Sequence, residues 1–218
     1  FQETLFNEMK SRIKKDDSSV PYFFNKYWYI TRYEEGKEYP IYTRRYMDID
    51  SEEEILLDVN KLAKKYSYYQ VSGISVSPDN KKLAFGVDTL SRRIYTIKVK
   101  DLVTGEMYPD QINGVNSYTT WASDSQTMFY AGKDSQTLRS NSIYRHELSS
   151  EQDKDVLVYE ETDETFSTFV YPSKSRDYIM IGSSSTMSNE YRFLSADTPR
   201  DSFSLIQKRE RGLEYSPS

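Results

Sequence analysis

An all-β fold, a partial β-propeller of about four blades behind a short N-terminal helix, is what this sequence predicts, and three observations predict it. The first is a repeat. Ser77-Pro78-Asp79-Asn80-Lys81-Lys82 runs into Leu83-Ala84-Phe85, Ala122-Ser123-Asp124-Ser125-Gln126-Thr127 into Met128-Phe129-Tyr130, and Pro172-Ser173-Lys174-Ser175-Arg176-Asp177 into Tyr178-Ile179-Met180. Each is followed by a strand around a tyrosine, Tyr95, Tyr144 and Tyr191, spaced 49 and 47 residues apart, with Tyr42 lying 53 residues before Tyr95. A repeat of this length made only of short strands is the sequence form of a propeller blade. The second observation is period-two alternation, as in Leu83, Phe85 and Val87 against Ala84 and Gly86. The third is composition: 20 of 218 residues are Tyr, a side chain suited to a half-buried pleated surface.

Taken in order, Leu5, Met9 and Ile13 with Phe6 form one apolar stripe, which predicts a helix over 3–15 that packs on a neighbouring surface. Asp16 to Ser19 and Pro21 end it. Residues 1–21 are therefore read as helix and linker, and 22–218 as propeller, with blades over about 22–65, 66–110, 114–160 and 165–208 and a further one starting after 209. In the first blade, 27–33 and 38–46 flank Glu34-Glu35-Gly36-Lys37, a hairpin turn with Gly36 at positive φ. A strand at 55–57 leads to Asp58, placed to cap a brief helix through Lys65. The later blades carry strands near 70–76, 82–88, 93–99 and 105–108; then 116–121, 127–132, 142–148 and 155–160; then 166–171, 177–182, 190–195 and 203–207. Gly73–Val76, Ser117–Trp121 and Phe166–Val170 are the expected innermost strands. Leu83, Phe85, Met128, Tyr130, Ile179 and Ile181 are expected to be buried between blades.

The chemistry that the sequence lacks is as informative. The eight glycines never fall four apart, so the G-x-S-x-G turn that exposes a hydrolase serine is absent. The lone His146 sits in a repeated strand and is read as a strand residue partly covered by the next blade, not as a catalytic base. One His and no Cys cannot build the usual zinc site, and no phosphate-binding glycine loop is present. We assign no catalytic, cofactor-binding or metal-binding residue and expect no cofactor. The runs Glu34-Glu35, Glu52-Glu53-Glu54 and Glu160-Glu161 are read as solvated surface. Arg44-Arg45 and Arg92-Arg93 are read as surface pairs, with an acidic peptide end or a facing domain as the alternative. The net charge of −5 gives no support to nucleic-acid binding, and no apolar run of 18 residues is present to span a membrane. The absence of Cys suits the cytoplasm, the expected location, without excluding the periplasm. The chain opens on Phe1 without a signal-peptide pattern and stops just after an apparent new repeat, so an excised piece is expected.

Particular strings then point to a family. Arg12-Ile13-Lys14-Lys15-Asp16-Asp17-Ser18-Ser19-Val20-Pro21-Tyr22, Tyr27-Trp28-Tyr29-Ile30-Thr31-Arg32 and Glu34-Glu35-Gly36-Lys37-Glu38-Tyr39-Pro40-Ile41-Tyr42 resemble the start of the propeller in the oligopeptidase B (protease II) branch of the prolyl oligopeptidase family of serine peptidases. Ser75 to Phe85 resembles that family's second blade and Ser184 to Tyr191 its fourth. The resemblance implies a seven-bladed propeller capping an α/β-hydrolase domain of the same parent chain, which would hold the Ser, Asp and His beyond this segment. It implies a gating role that admits oligopeptide substrates, with cleavage after Arg or Lys, while this segment alone is inactive. A stand-alone protein- or peptide-binding propeller is the alternative, and a lyase or glycosidase propeller with axial carboxylates a third reading. Self-association through uncovered blade faces is expected.

Overall fold

Every repeat folds as an antiparallel meander of short strands, as seen in a computed structural model that describes residues 1–217. The chain divides into two compact units, Phe1–Ser67 and Tyr68–Ser218. The fold is a partial β-propeller with a short N-terminal helix.

In the first unit, helix α1 (Gln2–Ser11) precedes a four-stranded sheet of β1 (Tyr22–Phe24), β2 (Tyr27–Arg32), β3 (Ile41–Tyr46) and β4 (Glu53–Asp58), in that order. The helix is shorter than the apolar stripe predicts. Arg12 and Ile13 bond back to the carbonyls of Met9 and Lys10, three residues away, which tightens the final turn. Beyond it, Ser19 N–H donates to the Thr31 carbonyl and Tyr33 N–H to the Asp17 carbonyl, so 17–19 are drawn out along β2. Strand β1 is an addition to the sequence reading. Asn25 and Lys26, both at positive φ (44° and 71°), make the two-residue turn that folds it onto β2. Gly36 sits at φ +78°, as the hairpin requires. Asp58 caps α2 (Val59–Ala63) by accepting the Asn60 N–H at 3.1 Å. Tyr29, Ile41, Leu56, Leu57 and Val59 form this unit's core.

The second unit holds β5 (Gln70–Val76), β6 (Lys82–Asp88), β7 (Tyr95–Asp101), β8 (Met107–Trp121), β9 (Thr127–Lys133), β10 (Ser140–Glu147) and β11 (Val156–Glu160) in one hydrogen-bonded succession. Strands β12 (Ser167–Pro172), β13 (Tyr178–Ser184), β14 (Asn189–Ser195) and β15 (Ser204–Gln207) form a separate sheet. The recurring turn has one geometry in all three repeats, with Asn80, Ser125 and Arg176 at φ 61°, 55° and 70°. Where the sequence reading sets two strands, at 105–108 and 116–121, the chain forms the single strand β8. Gly114, at φ +74° in open space, marks the bend where the pairing register shifts while the strand runs on. Its first half therefore pairs with β7 (Ile97 with Ile112) and its second with β9 (Trp121 with Met128).

Strand β9 shows why a propeller strand is buried on both sides. Met128 and Tyr130 pack with Ala84, Ile97, Val99 and Ile112 of the preceding repeat. Phe129 and Ala131 pack with Val170, Ile179 and Ile181 of the following one. The six residues expected between blades, Leu83, Phe85, Met128, Tyr130, Ile179 and Ile181, are all buried, while Tyr178 is exposed, so the register of the last sheet is as read. The expected inner strands of two successive repeats lie side by side. Trp121 Nε1–H donates to the Ser75 carbonyl at 3.1 Å, and a Cβ on Gly73 would stand 1.9 Å from the Ser117 carbonyl oxygen.

Candidate functional site

The polar interior of the second unit is organised around its one histidine. His146, on β10, is 1% exposed; its Nδ1 lies 2.7 Å from Asp155 and its Nε2 2.8 Å from Asp110 on β8. Carboxylates on both ring nitrogens require both to carry hydrogen, so the ring is held as imidazolium. Burial alone would lower its pKa, but the bonds to Asp110 and Asp155 outweigh it and push the value up to about 9. Tyr130 donates to the other oxygen of Asp155 at 2.7 Å, and Ser149 N–H donates to Asp110 at 2.6 Å. Burial, then the Asp155 bond, raises the Tyr130 pKa. The sequence reading makes His146 a strand residue partly covered by the next blade. It is instead fully buried and tied to the preceding repeat through Asp110.

A second centre closes the passage from β11 to β12. Glu161, 4% exposed, accepts from Arg209 at 2.6 Å, from Ser183 at 2.6 Å and from Tyr159 at 2.8 Å. Burial would raise its pKa, but these donors hold it at about 2. Arg139 donates to the carbonyls of Asp163 and Phe166, fixing the same connection. Glu161 is thus no solvated surface group, a correction to the sequence reading. Glu160 beside it, the last residue of β11, is exposed.

The arginine pairs divide. Arg44 is buried, bonded through Nε and Nη2 to both Glu54 oxygens and stacked over the Tyr27 ring at 4.0 Å, while Arg45 donates to the Ile49 and Ser51 carbonyls. Both are consumed by the fold. Arg92 and Arg93 remain exposed on the turn after β6. Close to Arg93 a pocket of about 610 Å³ opens between the middle of β8, around Gly114, and strands β9 and β10, lined also by Tyr130, Tyr144, Ser142, Lys133 and, from the 3₁₀ turn Gln152–Lys154, Gln152 and Asp153. Tyr144 stacks on Tyr130 with ring centroids 5.5 Å apart. Gln152 and the Asn113 backbone exchange two hydrogen bonds, of 2.9 and 3.0 Å, across one side of it.

This arrangement of blades has a known counterpart. A family model for the prolyl oligopeptidase N-terminal β-propeller domain matches residues 1–217. The chain belongs to this family. Among curated relatives of this prolyl oligopeptidase propeller, dipeptidyl aminopeptidase BI of Pseudoxanthomonas mexicana is 38% identical over 98% of the chain, and protease 2 of Moraxella lacunata is 31% identical over 98%. The chain spans 32% of the length of each. Oligopeptidase B from Leishmania major superposes with a TM-score of 0.91 at 32% identity, over 99% of the chain and 31% of that structure. The resemblance read from the opening strings is therefore correct at the level of family and branch.

Proposed function

We propose that this propeller segment gates the active site of a serine oligopeptidase, whose catalytic domain is supplied by the remainder of the parent chain. The parent hydrolyses peptide bonds in short peptides, with Arg or Lys before the scissile bond, and the segment itself is not catalytic. The match of the family's propeller domain across residues 1–217 carries the reading. The geometry supports it, because the one histidine has both ring nitrogens committed to carboxylates and has none left to activate a serine.

The test is an assay of the purified chain on short peptides carrying Arg or Lys, with a fluorophosphonate probe alongside. No turnover above buffer and no labelling are expected. Turnover together with labelling of a serine in this chain would overturn the non-catalytic assignment. The longer parent is expected to cleave the same peptides, and failure of the parent to cleave any short peptide would overturn the peptidase reading itself.

A further inference from the structure

The pocket beside β9 presents one cation and one anion on its wall, Lys133 and Asp153. Lys133 Nζ, on the pocket wall, spends one N–H on the Arg93 carbonyl at 2.5 Å. Arg93 lies exposed on the neighbouring turn, and among the described residues neither it nor Lys133 has an ion-pair partner within 4.0 Å. A further carboxylate nearby, Asp88, is buried, and its two oxygens accept the backbone N–H groups of Leu90 and Arg93. Burial, and then the charge of Arg93, lowers the Lys133 pKa against the opposing pull of Asp88.

We propose that this pocket binds a small carboxylate carrying an apolar side chain, of the kind presented by the C-terminal residue of a short peptide. Lys133, with Arg93 beside it, takes the carboxylate, the half-buried Tyr144 ring takes the side chain, and the exposed Asp153 carboxylate on the 3₁₀ turn accepts a ligand N–H. A volume of about 610 Å³ is that of a site for a ligand of one or two residues. The inference concerns a site whose residues all lie in this chain, and it does not depend on the peptidase reading.

The test is titration of the chain by calorimetry with N-acetyl-L-phenylalanine and, separately, with its uncharged amide. Saturable binding of the acid is expected, with the amide about tenfold weaker or worse, since a charge-assisted hydrogen bond is lost. Lys133→Gln should weaken the acid about tenfold and leave the amide unchanged. Arg93→Gln, at an exposed position that the core does not need, should weaken the acid severalfold, and it decides the matter if Lys133→Gln does not fold. Absence of saturable acid binding, equal affinity for acid and amide, or folded variants that bind the acid as well as the parent sequence would each overturn the proposal.

Discussion

Deprotonating His146 removes one of its two N–H donors and leaves a buried carboxylate facing a bare ring nitrogen. Its pKa of about 9 stands above the ordinary value of 6.5, so its stabilisation is complete below about 6.5 and lost as pH rises through about 9. The shift corresponds to a contribution on the order of 3 kcal/mol. Glu161 acts at the other limit. Its pKa is depressed to about 2, so its contribution is present above about 4.5 and disappears as pH falls through about 2. Urea midpoints measured across pH should therefore decline between about pH 7 and 10. His146→Gln should cost about 3–5 kcal/mol at neutral pH and flatten that alkaline decline, because buried Asp110 and Asp155 lose their cation. An alkaline limb that is unchanged in this variant would assign the titration to another group.

Two glycines at positive φ distinguish local strain from collision. Gly36 has open space around it, so Gly36→Ala should cost about 1 kcal/mol. Gly73 has a similar φ of +68° but meets the Ser117 carbonyl, so Gly73→Ala should cost about 3 kcal/mol or more, the larger part from the forced separation of β5 and β8. Thermal unfolding of the two variants compares them, and equal losses would show that β5 and β8 yield without resistance. Most strands were legible in the sequence because alternation and Ser/Asp/Lys turns are local signals, seen in 82–88, 127–133 and 178–184. Strand β1 was hidden because it is three residues long, and its Asn25-Lys26 turn lacks the usual glycine. The continuity of β8 was hidden because Gly114 reads as a break. The His146 centre was illegible for a different reason: its carboxylates lie 9 residues after and 36 residues before it, separations that no motif encodes. Glu161 was misread because a run of two glutamates looks solvated until Arg209, 48 residues on, is brought to it.

On the scale of the whole molecule, exposed apolar surface governs behaviour in solution. No residue of α1 is buried, and Leu5, Phe6, Met9 and Ile13 are all exposed. Tyr46, Met47 and Ile55 add to the exposed surface of the first unit, and Leu205 and Ile206 of β15 to that of the second. Apolar surface of this kind tends to find a partner. We expect the isolated chain to self-associate, with a mass by light scattering that rises with concentration. Leu5→Glu with Met9→Glu should lower that rise. A strictly monomeric, folded chain at high concentration would show that these surfaces need no cover.

The sharing of β8 sets how the second unit comes apart. In a simple array each repeat meets its neighbour through side chains alone, and one repeat can melt while the next persists. Here the last strand of one repeat is covalently and hydrogen-bond continuous with the first strand of the next, with Gly114 as the bend. Unravelling either repeat strips partners from a strand that the other also uses. Strands β5 to β11 therefore make one cooperative block, and β12 to β15, joined to it by packing and the Glu161–Arg209 centre, make another. The strand that blurs a repeat boundary in the sequence thus decides where a boundary of local unfolding falls.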